Sequence, residues 1–332
     1  MNNLKKIGLS ALAGSLVATS VYAGELAVSG SASMKVVHVN GSAANAGKSF
    51  SMGNSVYFKG GGELDNGMTV AVSFELDQGA ADGAQTAGQL TSDGGVFDSH
   101  SVTVSSDALG ALTFAGHGGS SAQSAIDTTA AGDLWDSTFI TTANKTMKPK
   151  ASATSNNMLS YTLPSIVDGV AVAASYTPTG TTSASSTAWS IAYTGVEGLA
   201  VHYASGQDDG TVGATVDVDT IKATYAYGPI TVGYSSTEYD GEATGADVDQ
   251  EVESYNISYT VSENISVAYG SETISEPNDL DDQDIDVTGI TASYTTGGMT
   301  IEGQMIEADN TAMGISALED KENWNLVASF AF

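Results

Sequence analysis

Apolar and polar positions alternate with period two along almost the whole chain, and the 3.6-residue spacing of an amphipathic helix is nearly absent. In segment 68–77, Met68, Val70, Val72, Phe74 and Leu76 share one face, and Thr69, Ala71, Ser73, Glu75 and Asp77 share the other. In 264–270, Ile265, Val267 and Tyr269 oppose Ser266, Ala268 and Gly270. The last segment sets Trp324, Leu326, Ala328, Phe330 and Phe332 against Asn323, Asn325, Val327, Ser329 and Ala331. The pattern predicts sixteen strands, the first eight at roughly 25–38, 54–65, 68–77, 98–107, 111–117, 156–164, 170–178 and 186–194. The other eight fall at roughly 199–207, 217–227, 230–239, 251–260, 264–273, 285–295, 299–307 and 321–332.

The connectors alternate in length. Short ones carry residues suited to tight turns: Asp65-Asn66-Gly67, Asp107-Ala108-Leu109-Gly110, Gly195-Val196-Glu197-Gly198, Gly228-Pro229 and Thr296-Gly297-Gly298. Longer polar segments lie between them at 39–53, 78–97, 118–155, 240–250, 274–284 and 308–320. This describes an up-and-down meander with two unlike ends. Strands of nine or ten residues with one apolar face match a tilted membrane crossing, and a sheet in hydrocarbon has to close on itself. Aromatic residues recur near strand ends (Tyr57, Phe58, Tyr161, Tyr176, Tyr193, Tyr203, Tyr225, Tyr227, Tyr234, Tyr255, Tyr259, Tyr269, Tyr294 and Trp324), as an interfacial girdle requires. Segment 285–295 breaks the pattern, because Ile285 and Val287 have the opposite parity to Ile290, Ala292 and Tyr294; a bulge or a shifted boundary is expected there.

Composition removes several function classes. Acidic residues number 39 against 10 lysines, with no arginine and no cysteine, for a formal charge of −29. Such a chain has nothing with which to neutralise nucleic-acid phosphates, and it holds no disulfide, cysteine zinc site or cysteine nucleophile. Residues 1–23 read as a secretory signal peptide: Lys5 and Lys6 start it, Ile7 to Val17 form its short apolar core, and Val21-Tyr22-Ala23 ends it. The remaining segment, 24–332, reads as one β-barrel. No later stretch is long and apolar enough for a membrane helix.

Several stretches resemble the general porins of Gram-negative bacteria. Ser55-Val56-Tyr57-Phe58-Lys59-Gly60, continuing through Glu63-Leu64-Asp65-Asn66-Gly67-Met68 to Glu75, is similar to the second hairpin of that family. Gly110-Ala111-Leu112-Thr113-Phe114, a long loop, Asn156-Asn157-Met158-Leu159-Ser160-Tyr161 and Gly169-Val170 to Ser175-Tyr176 resemble its constriction-loop region. Terminal Phe332 resembles the signal read by the barrel-assembly machinery. The pattern is most similar to Rhodobacter-type porins. The resemblance implies a 16-stranded antiparallel transmembrane β-barrel with short periplasmic turns, long external loops and a third loop, about 117–155, folded into the pore. It also implies a homotrimer in the outer membrane that passes small hydrophilic solutes. The family lines one wall of its constriction with arginines, which this chain lacks entirely.

On that reading, Asp127, Asp133 and Asp136 of the third loop would face the lumen. Lys35, Lys59 and Lys222 each alternate with apolar neighbours and would supply the opposing basic wall. Lys145, Lys148 and Lys150 belong to the same loop. His117 and His202 have lumen parity, His38 and His100 sit at strand ends, and none has metal-ligand spacing. No nucleophile motif or paired-carboxylate pocket is visible, so no enzyme activity and no cofactor is expected. Two acidic runs, Glu238 to Glu253 and Glu272 to Asp286, read as solvated external loops; the alternative is loosely held calcium or magnesium bridging to lipopolysaccharide phosphates. The expectation is an outer-membrane diffusion channel in contact with lipid and lipopolysaccharide, preferring cations. Its rivals are a substrate-specific channel and a secreted acidic adhesive β-protein.

Overall fold

The computed structural model describes residues 25–40, 47–77, 97–126, 129–131, 134, 152, 156–178, 185–209, 215–243, 246–247, 249–275, 284–311 and 320–332. Its strands are β1 (Glu25–Asn40), β2 (Gly47–Glu63), β3 (Thr69–Asp77), β4 (Ser99–Ser106), β5 (Gly110–His117) and β6 (Met158–Thr162). There follow β7 (Val170–Thr177), β8 (Ser186–Tyr193), β9 (Leu199–Asp209), β10 (Thr215–Tyr227), β11 (Ile230–Ala243) and β12 (Ala246–Asp247). The last five are β13 (Gln250–Thr260), β14 (Ile265–Ser275), β15 (Ile285–Thr296), β16 (Met299–Asp309) and β17 (Lys321–Ala331). The two-residue β12 pairs with β11 through Glu242↔Asp247 and Ala243↔Ala246, as an extension of the β11–β13 hairpin. The other strands form one antiparallel wall of sixteen in which each pairs with its sequence neighbours, and β1 pairs with both β2 and β17, so the sheet closes.

The turns at one end are short (64–68, 107–109, 163–169, 194–198, 228–229, 261–264 and 297–298), while the long connectors all leave the other end. Gly110 shows why a glycine closes one such turn: its φ is +77°, and a Cβ there would lie 2.2 Å from the Thr162 carbonyl oxygen. The alternation read from sequence is the physical division of the wall. Met34, Met52, Leu112, Ile221, Val232, Ile257, Ile290 and Leu326 face outward and are exposed. Such a continuous apolar exterior needs lipid around it, which a freely water-soluble adhesive protein would lack.

Outward aromatics lie at two levels. Tyr193, Tyr225, Tyr227, Tyr259, Tyr294 and Phe330 lie near the short turns. Tyr176, Trp189, Tyr203 and Trp324 lie toward the long connectors. The Trp189 and Tyr203 rings lie 5.4 Å apart, tilted by 57°. The Tyr203 hydroxyl donates to Asp219 at 2.9 Å and that of Tyr234 to Glu253 at 3.0 Å, so apolar ring bodies give way to carboxylates toward the external end. Tyr57 is an exception to the expected girdle: it pairs with Glu75 and shares the lumen face with Lys59.

Three further expectations are corrected. β2 begins at Gly47 rather than near residue 54, because β1 is long enough to pair with it down to Val39↔Gly47; Phe50 and Met52 keep the outward alternation through a stretch whose glycine and serine content suggests a loop. β15 contains neither a bulge nor a shift. Its register against β14 and β16 is continuous, so Ile285 and Val287 truly point into the barrel, where they are buried with Val252, Ile274, Ile306 and Ala308. In β5 the register does shift: Ala115 pairs with Ser101 but His117 with His100, which breaks the alternation that put His117 toward the lumen.

The seam rests on the chain end. Gly30 N donates to the Phe332 carbonyl at 2.7 Å and Phe332 N to the Gly30 carbonyl at 3.0 Å. The Phe332 ring lies over Gly30, where a Cβ would sit 2.6 Å from Cε2. Gly30→Val is therefore expected to displace the ring and lower the fraction of chain that assembles. Heat-modifiable gel migration checks this, and wild-type yield of the folded band would count against the seam contact.

Candidate functional site

The lumen has two unlike walls. Inward positions on the half of β7–β16 nearer the long connectors are buried, and the described residues of the connector that follows β5 lie across them. Sequence sets its path locally. Ser121 opens a turn in which its Oγ accepts from Ser124 N at 2.9 Å and its carbonyl from Ala125 N at 2.9 Å. Ala122 N then donates to Ser175 Oγ on β7 at 2.9 Å. Gln123 spans two partners, donating from Nε2 to Thr220 Oγ1 on β10 at 2.9 Å and accepting Ser152 N at 2.6 Å.

Further along, Ser254 Oγ on β13 accepts two consecutive amides, Ala130 N at 2.9 Å and Ala131 N at 2.8 Å. Lys222 Nζ on β10 donates to the Thr129 carbonyl at 2.7 Å, and Leu134 N donates to Glu272 Oε1 on β14 at 3.3 Å. Gln123, Thr129, Thr220, Ser254 and Glu272 are all fully buried, so these bonds are shielded from competing water. The wall makes room for them. Inward Gly206 on β9 lies under Ser152, where a Cβ would meet the Ser152 Cβ at 2.5 Å.

The opposite wall, β1–β5, leaves its inward groups accessible. It is paved with small hydroxyls (Ser51, Ser55, Ser73, Ser101, Thr103) around one charged patch. Tyr57, Lys59, Glu75, Asp77 and Asp98 form it. Lys59 Nζ lies 5.4 Å from the centre of the Tyr57 ring. The Tyr57 hydroxyl is hydrogen-bonded to Glu75, and Ser99 Oγ donates to Glu75 Oε2 at 2.8 Å. Glu75, Asp77 and Asp98 each present a carboxylate oxygen within 4.8 Å of the others. Three carboxylates and one ammonium thus share the patch, with the acids nearer the long-connector end, since Glu75 is opposite Tyr57 and Asp77 opposite Ser55.

The expected site residues divide accordingly. Lys35 and Lys59 have lumen register, Lys35 near enough to Glu302 to attract it and Lys59 in the patch. Lys222 also faces inward, but beneath the connector, as one of its tethers. Asp127, Asp133 and Asp136, with Lys145, Lys148 and Lys150, lie outside the described residues. Sequence reading did not single out Tyr57, Asp77 and Asp98 as a lumen group, nor Gln123 and Ser254 as anchors. The available signal was the glycine at an inward place on four wall strands: Gly206, Gly233, Gly270 and Gly289.

The chain matches the family described as Gram-negative porin over residues 8–283. Among solved structures it is similar to an anion-selective porin from Comamonas acidovorans, with 15% identity, TM-score 0.68, and coverage of 93% of this chain and 99% of that one. It is also similar to OmpF from Salmonella typhi in complex with daunomycin, with 13% identity, TM-score 0.71, and coverage of 92% and 97%. The trimer form of OmpT from Vibrio cholerae aligns at 12% identity and TM-score 0.67, over 94% of this chain and all of that one. Identities this low show the fold alone. Among curated proteins there is no significant sequence relative.

Ser254→Ala removes the acceptor of two buried amides, a loss of about 1 kcal/mol per bond. The expected result is a looser connector and a larger exclusion limit for neutral sugars in liposome swelling, with the folded gel band retained. An unchanged limit would show that Ser254 does not hold the connector in place.

Proposed function

The chain belongs to the Gram-negative porin family, and from that premise we propose that its pore favours small cations over small anions. The protein is an outer-membrane diffusion porin, a barrel whose apolar outside meets lipid and whose wet inside passes small hydrophilic solutes. Family and fold are those of channels rather than enzymes. The selectivity reading rests on one observation: on the open wall, Glu75, Asp77 and Asp98 outnumber the inward lysines Lys35 and Lys59. No arginine anywhere in the chain balances them, and the formal charge is −29. Fixed charge at a narrow place filters ions within about a Debye length, roughly 8 Å at physiological salt. The anion selectivity named for the Comamonas relative belongs to that protein and does not follow from a shared fold.

We further read the protein as exported by residues 1–23, recognised by the barrel-assembly machinery through Phe332, and assembled as a homotrimer. The trimer form of the Vibrio cholerae relative supports the last point. So does the outer surface. Exposed Tyr and Trp side chains run from Tyr161 on β6 round to Trp324 on β17, while β1–β5 present Leu26, Val28, Met34, Phe50, Met52, Val102 and Leu112 outward. A sector without outward tyrosine or tryptophan suits protein contact better than a lipid boundary.

The test is the zero-current potential of the full chain in a planar bilayer under a potassium chloride gradient. The expected sign is that of cation preference, and the triple substitution Glu75→Gln, Asp77→Asn, Asp98→Asn should move it toward zero. An anion-selective wild type would overturn the proposal, as would a potential that the triple variant leaves unchanged.

A further inference from the structure

A water-filled barrel is a poor place for apolar side chains, yet this one holds a cluster of them on its inner face. Val252, Ile274, Ile285, Val287, Ile306 and Ala308 point inward from four neighbouring strands and are at most 2% exposed. What covers them is the connector, through Ala131 and above all Leu134, itself 1% exposed. The wall is shaped to that side chain. A Cβ at Gly289 would lie 2.5 Å from Leu134 Cδ2, and one at Gly270 would lie 3.1 Å from Cδ1 and 2.6 Å from the Ala131 Cβ. Two bare backbone positions thus form the floor of a socket, and six aliphatic side chains surround it.

We propose that Leu134 is the positioning residue that sets the bore of the pore, a knob in an apolar socket on the inner wall. This rests on the porin reading above and adds to it what fixes the constriction. The polar tethers are shielded while the connector is seated, but water replaces them once it lifts, whereas the knob can leave its socket only by exposing apolar surface on both sides. Apolar burial is also indifferent to screening, so the bore stays constant as salt weakens ionic contacts. The arrangement accounts for the aliphatic residues at lumen positions of β13–β16, which serve no purpose in a purely wet interior.

Single-channel recording of the full chain with Leu134→Ala, Leu134→Met, Gly289→Ala and the Leu134→Ala/Gly289→Ala pair tests it. Truncation at Leu134 should raise the frequency of conductance substates roughly tenfold or more, given the usual cost of emptying a packed site. Leu134→Met, which conserves volume, should stay near wild type. Gly289→Ala should disturb the wild-type pore strongly and the Leu134→Ala pore little, because its methyl then enters vacated space. Wild-type conductance and noise in Leu134→Ala would overturn the proposal, and so would strictly additive effects in the pair. If Leu134→Ala does not assemble, Leu134→Val takes its place with the same two criteria. A wild type that forms no channel at all would instead remove the porin reading itself.

Discussion

Hydrocarbon offers no partner to a backbone N–H or C=O, and the whole structure follows from that constraint. A sheet with two edges would leave two rows of unpaired groups in lipid, so the meander has to end beside the strand with which it began. Here the last residues pair with the first strand from Ser31↔Ala331 to Asn40↔Glu322, and Gly30 exchanges two backbone bonds with Phe332 itself. Closure also explains why so ordinary a composition suffices. With neighbouring strands paired all round the ring, side chains need only be apolar outside and small or polar inside.

Closure creates a second problem, since a ring of sixteen strands encloses far more space than its own side chains fill. The protein reduces that space from within by laying the connector after β5 along one wall. Both surfaces are fitted to the purpose: the connector brings amides, Gln123 and Leu134, and the wall brings Ser175, Thr220, Ser254, Glu272 and a set of glycines. The inner face left accessible is the hydroxyl-lined wall of β1–β5. On the proposed reading, selectivity rests on the few charges exposed on that wall.

Most of the wall was legible in the sequence, because alternation is a local property. The segment 68–77 became β3 at Thr69–Asp77, and 321–332 became β17 at Lys321–Ala331. Reading failed where local pattern and distant contact disagree. Ile285 and Val287 look misplaced only if every inward residue is assumed to meet water; they meet Leu134, about 150 positions earlier in the chain. Lys222 has the alternation of a pore-lining lysine, yet it lies under the connector, and Tyr57 has the composition of a girdle residue but the parity of the lumen. The grouping of Asp77 with Asp98 depends on the β3–β4 pairing across a long connector, which no spacing rule reveals.

The claim on which everything else depends is that this chain forms a closed cylinder, oily outside and wet inside. The current through single copies of the purified chain inserted in a planar bilayer, measured over a range of salt concentrations, addresses it most directly. The account predicts discrete steps of uniform size that grow in proportion to bulk conductivity, as expected of ions moving through water. Protein that stays soluble without detergent and adds no conductance to the bilayer would contradict it.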